Sequence, residues 1–513
     1  MKNDHQNIEE MLSFQNQQNI AFQESGKKPL TYKELLIHVK KISKLIKNFK
    51  INKNDRIAIV LPNGSIAASA FICVSSCAVS APLNPNYKKD EFQFYMSDLN
   101  VRLLICVETE KDAVLAAKNL SIPVVFLKIN ESDSAGIFHI ETQNDFETDI
   151  EQINQNDEAL VLHTSGTTSR PKIVPLSNKN IMSSANNISQ TLKLTSDDVC
   201  INIMPLFHIH GLIAVVLSSL FSGGSIFFTS GFNALGFFSS LEEAEASWFS
   251  AVPTMHQVIL NRASKNLKII QNSNLRFIRS SSSSLPPKTM IDLEKTFNCP
   301  VVEAYGMTEA SHQMTSNSIT RGSQVPGSVG IEAGPEVRVF SDENLTSKPN
   351  VLGEIVINGD NVFEGYESND KANKDSFIKD NENKKLWFRT GDQGKFDNNG
   401  LLFITGRLKE IINRGGEKIS PREVDEILMD HPHVDQAITF SIPHKSLGED
   451  IAAVLVAKEG SDININEIRD FASEKLSNYK IPRKILIREE IPKGSTGKVQ
   501  RIGLARKLGL SNE

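Results

Sequence analysis

Over its first 350 or so residues the chain alternates short, unbroken apolar runs with longer stretches of mixed polarity. RIAIVLP from Arg56, RLLICV from Arg102 and PVVFLK from Pro123 predict buried strands. YKELLIHVKKISKLIKNF from Tyr32 is amphipathic and predicts a helix between strands. Such alternation points to α/β layers. The most apolar segment, GLIAVVLSSLFSGGSIFF from Gly211 to Phe228, is broken by serines and a Gly-Gly pair, so it predicts a core helix, a turn and a strand rather than a membrane span. After about residue 350 the pattern changes. GEIVING and LWFRTGDQGKFDNNGLLFITGR hold short strands interrupted by Gly and Asn-Asn-Gly, which suggests hairpins. SPREVDEILMDHPHV, QAITFSIPH, IAAVLVAK and INEIRDFASEKL then predict helix, strand, strand, helix, a compact α+β unit. The boundary is expected in TGRLKE, Thr405–Glu410, giving domains 1–405 and 406–513.

Composition narrows the class. A chain of 513 residues allows two to four domains, and 40% hydrophobic with 23% charged residues is ordinary for a globular protein. A formal net charge of -5 gives no support for capture of nucleic acid or acidic lipid. The five cysteines are scattered, without CxxC spacing or a paired Cys/His cluster, which fits reduced thiols and predicts no zinc site. The start, MKNDHQNIEEM, has no apolar signal core, and GLSNE at the end is no peroxisomal tripeptide; the expected location is cytoplasmic.

Four stretches carry candidate chemistry. In LHTSGTTSRPKIVPL, a strand ending at Thr164 leads into Ser165, Gly166, Thr167 and Thr168, whose N–H groups and hydroxyls could form an anion-binding nest, with Lys172 as a point charge for phosphate. The ending of a P-loop is missing, and a surface turn would look the same. In VVEAYGMTEAS, Tyr305 could stack on a base, Thr308 could bond a phosphate oxygen and Glu309 could hold Mg²⁺; a strand-to-helix turn capped by polar groups is the plain alternative. Asp392 is expected in a Gly-flanked turn after a strand, either holding ribose hydroxyls or serving the turn alone. Arg407 and Lys409 lie at the expected domain junction, and Gly415-Gly416 permits close backbone approach. Lys498, in IPKGSTGKVQR, would on its own be an ordinary solvated lysine, and the five serines Ser280–Ser284 on their own a loop.

Taken in order, TSGTTSRPK, PLFHIHG, YGMTE, TGD, GRLKE and PKGSTGK resemble the acyl-adenylate-forming (AMP-dependent synthetase/ligase) superfamily, which includes acyl-CoA synthetases, firefly-type luciferases and peptide-synthetase adenylation domains. The resemblance runs from about residue 20 to 505. It implies a large N-terminal domain of layered α/β subdomains with a small β-barrel-like part, followed by a small mobile α+β C-terminal domain. The implied reaction has two steps: a carboxylate and ATP give acyl-AMP and pyrophosphate, and coenzyme A then displaces AMP. On this resemblance, Thr164 to Lys172 hold the β- and γ-phosphates, Thr308 meets the α-phosphate and Glu309 binds Mg²⁺. Ala304, Tyr305 and Ser284 line the ATP site, Asp392 and Arg407 serve the ribose, and Lys498 bridges carboxylate and α-phosphate. Lys409 is the implied hinge, about which the small domain rotates to bring Gly415 and Gly416 to the coenzyme A site.

The stretches RSSSSSLPP, MTEASHQMTSN and VPGSVG are similar to the oxalyl-CoA synthetase branch, which implies oxalate held by His208, Ser282, Ser284 and His312. Burying a second carboxylate costs several kcal/mol unless hydroxyl and imidazole donors meet it. Medium-chain fatty acids and 4-coumarate-type acids remain the alternatives, as do a stand-alone peptide-synthetase adenylation domain and a non-catalytic nucleotide-binding relative. One departure stands out: Ile173 follows Lys172 where most relatives place glycine. If that glycine serves a positive φ, isoleucine is strained. If it gives only clearance, isoleucine simply extends the apolar run, and that is the expectation.

Overall fold

The computed structural model describes residues 5–141, 151–164, 171–380, 384–492 and 500–510. These fall into two compact units: the described parts of Met1–Thr164, Lys172–Glu336 and Asn358–Asp375 form the first, and those of Val337–Ile357 and Ser376–Glu513 most of the second.

Two sheets organise the first unit. In the seven-stranded sheet, Arg56–Val60 lies between Val79–Pro82 and Leu103–Cys106, all parallel, and Val124–Lys128 continues the parallel order. Parallel strands are covered on both faces, which is why these segments read as unbroken apolar runs. The helix Tyr32–Lys47 opens with a capping box between Thr31 and Glu34 and buries Leu35, Val39, Ile42 and Ile46 along one stripe. At the sheet's far edge, Glu158–Thr164 pairs antiparallel with Lys172–Ser177, so that Thr164 faces Lys172 and His163 faces Ile173. Ile173 is buried against the core that contains Leu104 and Val161, and its φ is not positive. The structure therefore agrees with the clearance reading of this position.

The nine-stranded sheet runs Ile331–Glu332, His312–Ser316, Val301–Met307, Phe277–Ser280, Trp248–Ala251, Val199–Asn202, Ser225–Phe228, Ile20–Glu24, Leu30–Thr31. From Val301–Met307 to Ser225–Phe228 every neighbouring pair is parallel. The C-terminal ends of these strands therefore share one edge, where open α/β sheets present their ligand loops. The apolar segment forms a π-helix His210–Leu217, a helical turn Ser218–Phe221 and the strand Ser225–Phe228, in the expected order. Among the described residues no helix is long and apolar enough to cross a membrane.

In the second unit, a six-stranded sheet forms the small β part. Its order is Asn344–Thr346, Glu336–Ser341, Gly353–Asn358, Leu386–Phe396 and Phe377–Lys379, with Leu402–Arg407 also paired to Leu386–Phe396. Here the expectation for Asp392 needs correcting: it lies inside the strand Leu386–Phe396, opposite Arg407, and not in a turn. Gly391, at φ 75°, bends the strand without ending it, and the register shifts at Gln393/Gly394, the signature of a β-bulge. The remaining sheet contains Ile412–Arg414, Glu417–Ile419, Val434–His444, Gly448–Ala457 and Lys484–Ile487, flanked by helices Pro421–Met429 and Ile465–Lys475. Gly415 and Gly416 form the two-residue turn of its first hairpin, at φ 61° and 98°. A Cβ on Gly416 would meet nothing within 4 Å, so within this fold the glycine is required for its backbone angle and not for close approach.

Candidate active site

The residues expected to hold the acid lie just beyond the parallel strand ends. After Phe277–Ser280 the chain enters the serine run, which is tied down at several points. The Ser281 hydroxyl donates to the Ala304 carbonyl (2.7 Å), and the Leu285 N–H donates to Glu303 Oε1 (2.9 Å). Between these anchors Ser282 takes φ 71°, a sparsely populated conformation for a residue with a Cβ. On the neighbouring strand, Val301–Met307 passes through the turn Thr308–Ala310, and the chain reverses at Ser311 (φ 48°) and His312 (φ 102°). This reversal explains the glycine of YGMTE, since a Cβ on Gly306 would stand 1.9 Å from the His312 carbonyl oxygen.

Ser282 and His312 are brought together by a residue that was not among those expected from the sequence. His210 Nδ1 lies 2.9 Å from Ser282 Oγ and its Nε2 2.6 Å from Ser250 Oγ, while its ring centroid is 4.9 Å from that of His312. His208, the histidine expected here, stands against Phe207 with ring centroids 4.5 Å apart. The two histidines of PLFHIHG differ because His210 opens the π-helix and is buried, whereas His208 precedes it and is part-exposed. Gly211 lets this helix start close under the preceding loop, where a Cβ would stand 2.3 Å from the Pro205 carbonyl oxygen. π-Helical turns often occur at functional sites. Ser284 is part-buried on the same loop as Ser282.

A second group in the same unit suits phosphate and a hard cation. Glu309 is buried, and its Oε1 accepts from the Tyr366 hydroxyl at 2.7 Å. Burial and the Glu309 carboxylate push the Tyr366 pKa up, so the hydroxyl stays a donor. The Lys172 ammonium lies 4.0 Å from the centroid of the Tyr366 ring, a cation–π contact. Tyr366 thus touches both Lys172 and Glu309, two of the candidate site residues, although nothing in its own stretch of sequence marks it out. The Phe363 N–H donates to the Glu309 carbonyl (2.8 Å), and Asn361 Nδ2 donates to the carbonyls of Ala310 (2.8 Å) and Gln313 (3.0 Å). These three bonds hold Asn361 and Phe363 against the turn Thr308–Ala310 and so fix the segment that carries Thr308.

Among the described residues there is no group of three or more His, Cys, Asp or Glu that could hold a metal ion. A cation at Glu309 would therefore take its remaining ligands from phosphate oxygens and water, which is how Mg²⁺ is usually bound. Tyr305 is buried near the end of its strand, opposite Thr315, and the Ala304 carbonyl is the acceptor for Ser281.

In the second unit, Asp392 is buried and its Oδ1 accepts from Arg407 Nε at 3.1 Å. Glu354 steadies the bend beside it, accepting from Gly391 N–H (3.1 Å) and Arg389 Nε (2.8 Å). Lys409 is exposed in the turn that follows Leu402–Arg407. Ser165, Gly166, Thr167, Thr168 and Lys498 lie outside the described residues.

Comparison with known proteins identifies the family. The family described as AMP-binding enzyme matches residues 13–367, and the AMP-binding enzyme C-terminal domain matches residues 423–498. The chain is 40% identical over 489 residues to an oxalate–CoA ligase of Arabidopsis thaliana, covering 94% of each chain. It is 41% identical over 486 residues to an oxalate–CoA ligase of Saccharomyces cerevisiae, covering 90% of this chain and 88% of that one. Among solved structures, ATP-bound MatB from Rhodopseudomonas palustris superposes with a TM-score of 0.86 at 25% identity, over 98% of both chains.

Proposed function

The chain belongs to the AMP-binding enzyme family, and on that premise we propose that it is an ATP-dependent acyl-CoA synthetase whose acid is oxalate. In the first step a carboxylate oxygen attacks the α-phosphorus of ATP, the bond to the β-phosphate oxygen breaks, and pyrophosphate leaves. In the second, the sulfur of coenzyme A attacks the acyl carbon and AMP leaves with the bonding electrons. The protein's task in both is to place charge and donors where negative charge accumulates.

The observation that carries the oxalate reading is the cluster of Ser282, His210 and His312 at the parallel strand ends, a set of polar groups where a hydrocarbon chain would need apolar walls. Ser282 and His312 donate to the spare carboxylate, with Ser284 and His208 on the flanking loops. Lys172 with Thr164 to Thr168 takes the terminal phosphates, and Thr308 the α-phosphate. Glu309 holds Mg²⁺, which when bound offsets phosphate charge. Tyr305 and Ala304 flank adenine, Asp392 and Arg407 take the ribose, and Lys498 spans carboxylate and α-phosphate. The domain boundary lies at residues 405/406, and rotation about Lys409 exchanges Lys498 for the face around Gly415 and Gly416 between the two steps. The exposed turn at Lys409 supports a hinge there. The five free, buried cysteines support a reducing compartment such as the cytosol.

The test is pyrophosphate release with oxalate, malonate, octanoate and 4-coumarate in turn. Oxalate is expected to be turned over fastest; faster turnover of octanoate would overturn the reading.

A further inference from the structure

Behind the acid cluster lies a cation that none of the roles above uses. Arg279, in the strand Phe277–Ser280, is 0% exposed. Burial pulls its pKa down to about 9, so at neutral pH it still carries its charge. Its polar contacts are Nη1 to Ser250 Oγ (3.3 Å), Nη2 to Gln313 Oε1 (3.1 Å) and Nη2 to His312 Nδ1 (3.5 Å), while Nε has no partner. No carboxylate among the described residues pairs with it. A buried charge without a counter-ion is costly, and such charges are normally paired.

The hydrogen bonds around Arg279 fit a consistent polarity. A guanidinium donates and never accepts. Ser250 is fully buried and its hydroxyl hydrogen-bonds only with Arg279 and His210, so its proton goes to His210 Nε2 at 2.6 Å. The His210 proton then sits on Nδ1 and is donated to Ser282 Oγ at 2.9 Å. With its oxygen accepting, Ser282 directs its own proton to a further acceptor. At the other branch, His312 Nδ1 faces the guanidinium as an acceptor, which leaves the ring proton on Nε2. Gln313 cannot reverse this polarity. Its amide nitrogen donates to the Ala333 carbonyl (3.0 Å) and Thr191 Oγ1 (3.3 Å), so its oxygen is turned to Arg279.

We propose that Arg279 is the positioning residue that sets the polarity of the acid site, fixing the tautomers of His210 and His312 so that Ser282 and His312 both act as donors and the site takes an anionic, acceptor-only group. The inference rests on the oxalate reading and deepens it. Arg279 supplies the buried positive charge that the second carboxylate of a dianionic substrate balances, and its donor-only chemistry runs outward through two relays to that carboxylate. An acid carrying a donor in place of that carboxylate meets donors and is refused.

The test uses the full chain, its Arg279→Met and Arg279→Lys variants, and two substrates: oxalate and oxamate, its near-isostere with an amide in place of one carboxylate. Arg279→Met is expected to raise the oxalate KM about a hundredfold while kcat falls much less, and to narrow the oxalate-to-oxamate preference. Arg279→Lys, which keeps a buried donor-only cation, recovers part of the loss. Calorimetric ATP affinity is expected to stay near wild type in both, which separates this role from a general loss of fold. Nitrogen-15 NMR of labelled histidines in the wild type reads the tautomers directly: His210 protonated on Nδ1, His312 on Nε2. Should Arg279→Met fail to fold, the wild-type tautomers and Arg279→Lys still decide. A wild-type His210 protonated on Nε2, or an oxalate KM for Arg279→Met within threefold of wild type, overturns the inference. Absence of oxalate turnover in the wild type would instead overturn the substrate reading, and the tautomers would still test Arg279.

Discussion

Tyr366→Phe removes one oxygen and little else. The ring stays beneath Lys172, at 4.0 Å from its ammonium, so the cation–π contact survives. What is lost is the 2.7 Å hydrogen bond to Glu309 Oε1 in a buried setting. A hydrogen bond to a charged group contributes about 1.5–3 kcal/mol, and much of the cost of removing one is the desolvated partner left behind. If that bond holds Glu309 in the orientation that receives Mg²⁺, the loss is felt in the adenylation step. At about 1.4 kcal/mol per factor of ten, the expected fall in rate is roughly 10- to 100-fold. Pyrophosphate release at saturating ATP and oxalate, measured against Mg²⁺ concentration, is the assay. The expected curve has a lower plateau and a higher Mg²⁺ midpoint, with ATP affinity in the absence of metal little changed. A variant whose plateau and midpoint both lie within twofold of wild type would refute the idea that Tyr366 orients the metal ligand.

Other expected outcomes follow from separate features. Lys498→Ala should abolish acyl-AMP formation yet leave reaction of a supplied acyl-AMP with coenzyme A, as resolved by mass spectrometry; equal loss of both half-reactions would contradict its assignment. Ile173→Gly should lower stability by about 3–5 kcal/mol, because a packed strand side chain is removed, and should not raise turnover; a large gain in rate would show the phosphate loop to be compromised by isoleucine. Acid should destabilise the protein through His256, which burial holds at a pKa of about 4. An unfolded histidine takes up its proton near pH 6.5, so the stabilisation is fully present above that pH and is lost as pH falls from 6.5 to 4. The total is on the order of 3 kcal/mol, and His256→Gln should flatten the dependence of thermal unfolding on pH over this window.

The architecture was legible where burial is simple. Arg56–Val60, Leu103–Cys106 and Val124–Lys128 are parallel strands with both faces covered, and their apolar runs say so without ambiguity. Asp392 misled because Gly391 is a turn signal in sequence but here relieves a bulge within a strand. The polar network behind the acid site was illegible for a different reason. Ser250 and Arg279 are register partners on adjacent strands, yet they lie 29 residues apart, Ser250 inside the apolar run WFSAV and Arg279 at the head of a serine run that reads as loop. His210 sits two residues from a histidine that the motif itself draws attention to, and only the start of the π-helix distinguishes their burial. Tyr366 lies 57 residues from Glu309, a separation no local pattern spans.

Three residues at the proposed acid site, Ser282, Ser311 and His312, hold backbone angles that side-chain-bearing residues seldom occupy. Such conformations cost of order 1–3 kcal/mol each and persist only when the surroundings enforce them. Glycine would relax all three, but at Ser282 and His312 it would delete the groups proposed to meet the acid. Thermal robustness and substrate choice therefore pull these positions in opposite directions. A laboratory selection for heat resistance alone would drift toward glycine there, and discrimination between acids would erode long before the fold did.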